Sequence, residues 1–569
     1  MKQDSSHIPR YRFRLDTRID RRSSLALRLI AALLIANFAS AELTAADRPN
    51  VLPIMVDDMG FSGPGCYGGE VDTPNLDALA AGGLRFTQFY NTARCWPTRA
   101  ALLTGRYPHQ AGHAMMYGPG APPAYQGTSR ARGLLISEML GRAGYRNYHV
   151  GKWHLNSRNA AAERPDLAKQ TPGYDASWPL HRGFDRSYCV RTQNNFFNPN
   201  LMLDETRQVK RPGSNGDYYI TEAFTDRTIT YLQEHAREHA DEPFFLYLAH
   251  TAPHFPLHAL PADIERHRDR YRKGWDAIRR ERLARQKQLG LLDCELSRRD
   301  ELAVAWDSLT PQQQDNWATR MAIHAGMVHC VDRGIGRIIE QLKSMDAYDD
   351  TLILFLSDNG ASAEYIVRGD GNDPNAAPGS EASYLCLEVA WSNASNTPFR
   401  QHKMWTHEGG ISTPLIAHWP NGLAKSQRGQ LTEQVGHVID VMPTILDVAQ
   451  ATAPKEFDGI AAPPVTGRSL APILSGKQRR PHEFLFWEHT GNKAVRTGDW
   501  KLVGEDGGEW ELYNLKADRS ELHNLATEQP QRVADLAKLW QAYADETGVV
   551  PWHDLPQSKG SPSAEYRRK

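Results

Sequence analysis

Residues 351–360, Thr-Leu-Ile-Leu-Phe-Leu-Ser-Asp-Asn-Gly, carry the clearest indication of how this chain folds. The apolar run is rich in branched side chains and stops abruptly, and Asp358-Asn359 follow at once. Three other apolar runs lead in the same way to reactive residues: 50–56 to Asp57-Asp58, 145–150 to Lys152 and His154, and 243–249 to His250 and His254. Helical patterns lie between the runs. The alternation predicts an α/β fold with a large, mostly parallel central sheet flanked by helices, and in such sheets functional side chains gather beyond the carboxyl ends of the strands.

Length and composition are those of an ordinary globular protein. The 569 residues are enough for one large core and a smaller satellite, and 40% of them are hydrophobic and 23% charged. The formal net charge of −1 gives no reason to expect a nucleic acid as a partner. No apolar run approaches the roughly 20 residues that span a bilayer, so we expect no stable membrane span.

The first 46 residues have the layout of a cleaved secretory signal peptide. A basic stretch with Arg18, Arg21 and Arg22 precedes an apolar stretch at 25–38, and small residues follow at 39–41. The alternatives are an uncleaved membrane anchor or a misassigned start codon, but the apolar stretch is too short to cross a bilayer. The sequence therefore predicts signal peptide 1–46 and an exported protein, either periplasmic or secreted.

Changes of composition and pattern along the chain predict its domain organisation. Residues 47–455 carry the strand-ending motifs, and we expect them to form the catalytic domain. Within this range, about 261–320 is highly charged, and we favour a solvated helical insertion over a basic patch for an anionic polymer because acidic residues are interspersed. Residues 456–569 contain four segments typical of short strands joined by tight turns, followed by a final helical pattern, which predict a smaller C-terminal subdomain with an antiparallel sheet.

The acidic residues at two strand ends predict a metal site. Asp57-Asp58 and Asp358-Asn359 together offer three carboxylates and one amide oxygen. A set of oxygen ligands suits a hard cation, Ca²⁺ or Mg²⁺, rather than zinc or copper. Neighbouring carboxylates repel each other, and a bound divalent ion gives them a physical reason to lie together.

The segment 95–106, Cys-Trp-Pro-Thr-Arg-Ala-Ala-Leu-Leu-Thr-Gly-Arg, holds the candidate nucleophile. Pro97 suits the first turn of a helix, which would place Cys95 at the amino end, where free backbone N–H groups favour an anion. From the residues alone, Cys95 is either a reactive thiol of low pKa near Arg99 or a buried structural cysteine. The other five cysteines match no metal-site spacing, and we expect buried thiols, with a disulfide bridge as an open alternative.

Cys-x-Pro-x-Arg followed by Ala-Ala-Leu-Leu-Thr-Gly-Arg resembles the signature of the type I sulfatases, in which the cysteine is oxidised enzymatically to Cα-formylglycine. Further motifs occur in the order of that family: Arg48-Pro-Asn-Val51, Asp57-Asp58, Thr73-Pro-Asn-Leu-Asp-Ala-Leu-Ala80, Gly151-Lys-Trp-His154, Ala252-Pro-His254, Ser357-Asp-Asn-Gly360, Lys403 and Glu408-Gly-Gly410. The resemblance runs from about residue 47 to the C-terminus. The chain most resembles the soluble bacterial arylsulfatases, with which it shares an insertion at 271–291. The resemblance implies an alkaline-phosphatase-like fold.

The resemblance also implies a role for each matching residue. One Ca²⁺ would be bound by Asp57, Asp58, Asp358, Asn359 and the modified residue Cys95. The hydrated aldehyde at position 95 would attack sulfur in line with the leaving alcohol, and its second hydroxyl would later expel sulfate, a step that an ordinary serine lacks. Arg99 and His154 would orient and activate the nucleophile, Lys152 and Lys403 would balance charge on the sulfate oxygens, and His254 would protonate the departing oxygen.

The implied activity is hydrolysis of a sulfate monoester, aryl or similar, by an arylsulfatase-type sulfatase. Its partners would be the small sulfate ester and, during maturation, a formylglycine-generating enzyme. The alternative is a phosphonate monoester or phosphodiester hydrolase of the same superfamily, since the preference for sulfate depends on charge balance and pocket shape. Beside the motifs, His109, His250 and His258 are candidates for a supporting role, and Arg94 and Trp96 for the wall of the substrate pocket.

Overall fold

The structure is a computed structural model. It describes residues 48–117, 120–129, 132–155, 177–191, 195–199, 202–209, 218–365, 373–457 and 459–555. These belong to one compact unit, Arg48–Lys569. The predicted signal peptide lies outside the described residues. None of the helices in the described ranges is long and apolar enough to cross a membrane.

A central sheet of ten strands is the core of the fold. In chain order the described strands are β1 (Asn50–Val56), β2 (Leu84–Phe86), β3 (Phe89–Tyr90), β4 (Arg146–Lys152), β5 (Arg186–Val190), β6 (Met202–Asp204), β7 (Arg207–Val209), β8 (Phe244–Ala249), β9 (Thr351–Ser357), β10 (Leu415–His418), β11 (Gln430–Thr432), β12 (Gly436–His437), β13 (Glu456–Phe457), β14 (Ile460–Ala461), β15 (Leu485–His489), β16 (Asn492–Thr497), β17 (Trp500–Gly504) and β18 (Glu511–Asn514). The order in the central sheet is β11-β2-β10-β9-β1-β8-β4-β5-β6-β7. Its middle strands β5, β4, β8, β1 and β9 are parallel, and β10 and β6 continue it antiparallel. The predicted α/β fold is confirmed.

Helices cover both faces of the central sheet. They are α1 (Pro74–Gly82), α2 (Cys95–Thr104), α3 (Ile136–Arg142), α4 (Ile220–Glu238), α5 (Pro261–His267), α6 (Gly274–Gln288), α7 (Pro311–Ser344), α8 (Glu388–Ser395), α9 (Glu408–Ile411), α10 (Val441–Val448), α11 (Ala471–Leu474) and α12 (Pro530–Thr547). Alternate residues of β1 join different buried clusters: Leu52 and Ile54 pack with α4 and α7, and Val51 and Met55 with α2 and α10. A strand buried on both faces therefore reads as a continuous apolar run.

The predicted C-terminal antiparallel sheet is confirmed as β15-β16-β17-β18, with α12 packed on it. Buried polar contacts join this sheet to the rest of the fold. The indole N–H of Trp487 donates to the backbone carbonyl of Asn91 at 2.7 Å. Lys501 Nζ lies 2.9 Å from Glu408 Oε1 and 2.8 Å from Glu521 Oε1, and all three side chains are buried. The domain boundary at 455 stays a prediction.

The charged stretch at about 261–320 contains α5, α6 and the start of α7, but it is not simply solvated. Trp275 on α6 belongs to the core. Arg282 is fully buried and forms two hydrogen bonds with Glu70, both at 2.7 Å. The expectation of a solvated insertion is therefore wrong for the inner face of α6, which is buried and holds both the apolar Trp275 and the ion pair of Arg282 with Glu70.

The cysteines form no disulfide. All six lie within the described ranges and all are free thiols. Five are buried, and Cys294 is half-buried. The open alternative of a bridge is therefore wrong, and Cys294 departs from the prediction of buried thiols.

Candidate active site

Four oxygen-bearing side chains meet where β1 and β9 end. The two strands are parallel neighbours, paired in register along their whole length, so the residues that follow them emerge side by side. The backbone N–H of Asp58 donates to Asp358 Oδ1 at 3.3 Å, and Asn359 Nδ2 donates to Asp58 Oδ1 at 2.6 Å. With Asp57, all four side chains are buried. The structure thus brings the four predicted metal ligands together.

The donor set fits a hard divalent cation. Within the described part of the chain, the buried atoms Asp57 Oδ1 and Asn359 Oδ1 have no hydrogen-bond partner. Such oxygens are costly to bury, and a cation satisfies them while relieving the repulsion between carboxylates. Asp57 and Asp58 also lie with His254 in a group whose ligand atoms are within 4.8 Å of one another. We favour the oxygens as ligands, because Ca²⁺ prefers oxygen to imidazole nitrogen.

The carboxyl groups of this cluster have shifted pKa values. Burial, and then the neighbouring carboxylates, raise the pKa of Asp58 to about 7 and that of Asp358 to about 6. Burial alone would also raise the pKa of Asp57, but Lys152, whose Nζ lies 2.5 Å from Asp57 Oδ2, and then Arg99 hold it below its usual range. A divalent cation would lower the pKa of all three carboxyls.

Cys95 is the first residue of α2, the position that the sequence predicts. It is 2% exposed, and burial raises the pKa of its thiol although Lys152 and Lys403 act in the opposite direction. The interpretation of Cys95 as a thiol of low pKa is therefore wrong, because desolvation outweighs the neighbouring cations.

Arg99 lies one turn further along α2 and is fully buried. Its Nε and Nη2 donate to Asp358 Oδ2 at 3.1 and 2.8 Å. Its Nη1 donates to the backbone carbonyl of Lys152 at 3.0 Å. Arg99 therefore fixes the helix of the candidate nucleophile against the ends of β4 and β9.

Lys403 Nζ lies between three side chains. It is 2.9 Å from Asp58 Oδ2, 3.0 Å from Glu364 Oε2 and 3.1 Å from His254 Nε2. His254 Nδ1 lies 2.6 Å from the carbonyl oxygen of Phe255, so Nδ1 carries the proton and Nε2 accepts from Lys403. Burial, and then the charge of Lys403, hold the pKa of His254 well below its usual range, so His254 is neutral.

His154 lies two residues beyond β4, in left-handed backbone with a φ of 56°. Burial, and then Lys152, hold its pKa well below the usual range. Its ring meets the edge of the Trp96 indole at a centroid distance of 5.5 Å. The Arg94 guanidinium lies 4.5 Å from the centroid of the Trp96 ring and pairs with Glu364 at 3.1 Å. Arg94 and Trp96 therefore lie beside the candidate catalytic residues.

The contacts described for the three other predicted histidines are with the scaffold. His109 Nε2 lies 2.9 Å from Glu488 Oε2. His258 Nε2 donates to the carbonyl of Ser383 at 2.7 Å. His250 is fully buried, and its ring lies 6.3 Å from that of Phe224, centroid to centroid. Their supporting role stays a prediction.

Two residues near the site were missed by sequence reasoning. Glu364, in the loop after β9, is buried and contacts Lys403. His489 ends β15, and its ring meets Trp96 at a centroid distance of 5.7 Å. A search for carboxylates just beyond the Ser357–Gly360 motif would have found Glu364. No local pattern points to His489, because the C-terminal sheet brings it from far along the chain.

Sequence comparisons find relatives over most of the chain. The sulfatase family matches residues 49–451, and the family described as N-sulphoglucosamine sulphohydrolase, C-terminal, matches 400–545. An uncharacterised sulfatase of Schizosaccharomyces pombe is 32% identical over 537 residues, covering 88% of this chain and 94% of the relative. The arylsulfatase of Klebsiella aerogenes is 31% identical over 476 residues, covering 79% and 97% respectively.

Solved structures share the fold. Ps i-CgsB is 24% identical with a TM-score of 0.62, covering 87% of this chain and 93% of that one. The phosphonate monoester hydrolase of Agrobacterium radiobacter is 21% identical with a TM-score of 0.55, covering 88% and 94%. These likenesses show the fold alone, and the implied alkaline-phosphatase-like fold is confirmed. The sequence matches decide the family: the chain belongs to the sulfatases, enzymes that act on sulfate esters.

Proposed function

We propose that the chain hydrolyses a sulfate monoester, aryl or similar, with formylglycine at position 95 as nucleophile and one Ca²⁺. One observation carries the proposal: Cys95 begins α2 at a point where the charges of Lys152, Lys403, Asp57 and Asp358 all act on it. Family membership supports the sulfate ester. The similarity to the arylsulfatase of Klebsiella aerogenes supports the aryl type.

Four side chains would hold Ca²⁺ together with the modified residue 95: Asp57, Asp58, Asp358 and Asn359. The two buried oxygens without a partner among the described residues support this assignment. Three carboxylates and an amide suit the larger and less strict coordination of Ca²⁺ better than the octahedron of Mg²⁺. When bound, the ion would neutralise charge on the sulfate oxygens.

The high pKa of the Cys95 thiol supports a modified nucleophile. Hydrated formylglycine offers one hydroxyl for attack on sulfur and a second whose deprotonation later expels sulfate. Because Cys95 is 2% exposed, the formylglycine-generating enzyme that we infer as a maturation partner has to reach it before folding is complete. Neutral His154, whose Nδ1 has no hydrogen-bond partner within the described ranges, would orient and help to deprotonate the attacking hydroxyl.

The cationic side chains and His254 would bind the ester and assist the departure of the leaving group. Lys152 and Lys403 would bind the sulfate oxygens, and Arg99 would hold Asp358 in place. His254 would protonate the leaving oxygen through Nε2, which at rest accepts from Lys403 Nζ. Burial alone would lower the pKa of Lys403, but Asp58 and Glu364 raise it well above the usual range. Lys403 would therefore keep its proton and its charge beside the sulfate oxygens, and His254 Nε2 would take up from solvent the proton that it delivers.

The second candidate function is hydrolysis of a phosphonate monoester or phosphodiester. The shared fold with the phosphonate monoester hydrolase of Agrobacterium radiobacter supports it, and the same side chains would serve. Export of the protein, to the periplasm or the medium, also stays a proposal, because it depends on residues 1–46.

The test compares 4-nitrophenyl sulfate with a 4-nitrophenyl phosphonate monoester, using protein co-produced with a formylglycine-generating enzyme. We expect faster cleavage of the sulfate, lost on chelation and restored by Ca²⁺. Intact-mass analysis of the same sample would establish the conversion of Cys95. Faster cleavage of the phosphonate would instead favour the second candidate function.

A further inference from the structure

Glu364 forms a buried cluster with two cations beside the cation-binding oxygens. Its Oε2 lies 3.0 Å from Lys403 Nζ, and its Oε1 lies 3.1 Å from Arg94 Nη2. The Ser362 hydroxyl donates to Oε2 at 2.9 Å and accepts from the backbone N–H of Glu364 at 3.2 Å. The carboxylate is therefore held in one position, with its two oxygens facing different cations.

The charge of Glu364 differs in its role from that of the aspartates. Asp57, Asp58 and Asp358 form the oxygen group, and a bound divalent cation together with Arg99 would offset their three negative charges. The charged partners described for Glu364 are Lys403 and Arg94. Burial alone would favour its protonated form, but Lys403 and then Arg94 hold the pKa of Glu364 well below its usual range, so it is ionised.

We propose that Glu364 is a specificity-determining residue that adapts the site to a singly charged ester. Glu364 lowers the charge that Lys403 and Arg94 present together from +2 to +1, and the lower positive charge favours a sulfate monoester, which has one negative charge. Without the carboxylate, the two cations would present +2, the counterpart of a dianionic phosphate monoester. The inference rests on the proposed function, because it concerns how the same site distinguishes sulfate from phosphate.

The position of Glu364 predicts a large effect on the choice between the two esters. Lys403 contacts Asp58 and His254 on one side and Glu364 on the other. A sulfate bound by Lys403 would therefore be separated from the Glu364 carboxylate only by the Lys403 ammonium group. A unit charge ~7 Å away, acting through an effective dielectric constant of ~20, changes the relative affinity for a monoanion and a dianion by about tenfold to fiftyfold. Solvent screens the pair little, because both side chains are buried.

The experiment measures kcat/KM for 4-nitrophenyl sulfate and 4-nitrophenyl phosphate at about pH 8, where the phosphate ester is a dianion. We expect Glu364→Gln to lower the sulfate-to-phosphate ratio by about tenfold or more. Glu364→Asp keeps the charge, so it should keep the ratio within about twofold even if both rates fall. Asp300→Asn is the matched control, because Asp300 contacts His402 at 3.1 Å and not Lys403, and its ratio should match the wild type.

A reciprocal variant keeps the inference testable if Glu364→Gln does not fold. Arg94→Gln removes a positive charge from the same cluster, so it should raise the sulfate-to-phosphate ratio. Equal losses for both esters in Glu364→Gln, or an unchanged ratio in Arg94→Gln, would overturn the inference and leave Glu364 as a support for Lys403. A wild-type enzyme that fails to cleave the sulfate would instead contradict the proposed function.

Discussion

Arg99 and Asp358 form an ion pair with no exposure to solvent, in which two guanidinium nitrogens donate to one carboxylate oxygen. The pair joins the helix that begins with Cys95 to the strand end that carries two of the predicted Ca²⁺ ligands. A shift of either partner would therefore move the nucleophile relative to the ion.

We expect Arg99→Lys to lower kcat for 4-nitrophenyl sulfate by about 100-fold, because lysine keeps the charge but cannot donate from two fixed nitrogens, and a displacement of ~1 Å is costly at a reacting centre. Steady-state kinetics would measure the change. Arg142→Lys, at an exposed position, is the control and should have wild-type activity. Wild-type kcat in Arg99→Lys would exclude a positioning role for the double hydrogen bond.

Substitutions of Cys95 separate the two steps of the proposed reaction. Cys95→Ala should abolish turnover yet keep the unfolding temperature within about 3 °C of the wild type, since the change removes only one small buried group. Cys95→Ser should accept one sulfuryl group and retain it, because serine has no second hydroxyl with which to expel sulfate. Intact-mass analysis after incubation with substrate would detect the retained group. Full turnover in Cys95→Ala would falsify the formylglycine mechanism.

His254→Gln should affect poor leaving groups more than good ones. An alkyl alcohol is a far more basic leaving group than 4-nitrophenol, so it depends more on proton transfer from Nε2. We expect kcat/KM to fall about 100-fold further for an alkyl sulfate than for 4-nitrophenyl sulfate. His258→Gln, at a buried histidine that contacts the backbone, should change both rates by the same factor. Identical losses for the two esters in His254→Gln would remove this residue from proton transfer.

Glu70 and Arg282 give the stability of the protein a pH dependence in acid. Burial alone would raise the pKa of Glu70, but Arg282 lowers it from 4.5 to about 2. A folded-state pKa below the unfolded value means that the stabilisation is complete above about pH 4.5 and lost as the pH falls through about 2. The full effect is of the order of 3 kcal/mol. Urea unfolding should therefore show that wild type has a higher free energy of unfolding than Glu70→Gln, and that this difference becomes smaller from about pH 6 to about pH 3. A difference in the free energy of unfolding that stays constant over this range would show that the pH dependence does not come from the ionisation of Glu70.

The strand ends could be predicted from the sequence because of how parallel strands are buried. β1, β8 and β9 are covered on both faces, so each is a continuous apolar run, and the first polar residue marks the functional edge. For this reason the bounds of β1, β8 and β9 agree with the predicted runs to within one residue. The four predicted metal ligands and His254 followed directly from those ends.

The remaining features depend on contacts between distant parts of the chain. Arg282 looked solvated because a charge in a sequence suggests exposure, whereas Glu70, 212 residues away, neutralises it inside the fold. The sequence places Cys95 at a helix terminus next to Arg99, but it does not reveal the desolvation that raises the pKa of the thiol. The tautomer of His254 depends on the carbonyl of Phe255, which only the folded backbone directs toward Nδ1.

The contact between Trp487 and Asn91 also has a consequence for the timing of biosynthesis. The two residues are 396 positions apart, and Asn91 lies just before the segment that contains Cys95. At ~5–20 residues per second, a ribosome takes roughly 20 to 80 s to translate the intervening chain. Throughout that interval the C-terminal sheet, whose His489 contacts Trp96 next to Cys95, does not yet exist. Translation itself thus provides an interval in which the nascent chain can present this cysteine to an oxidising enzyme.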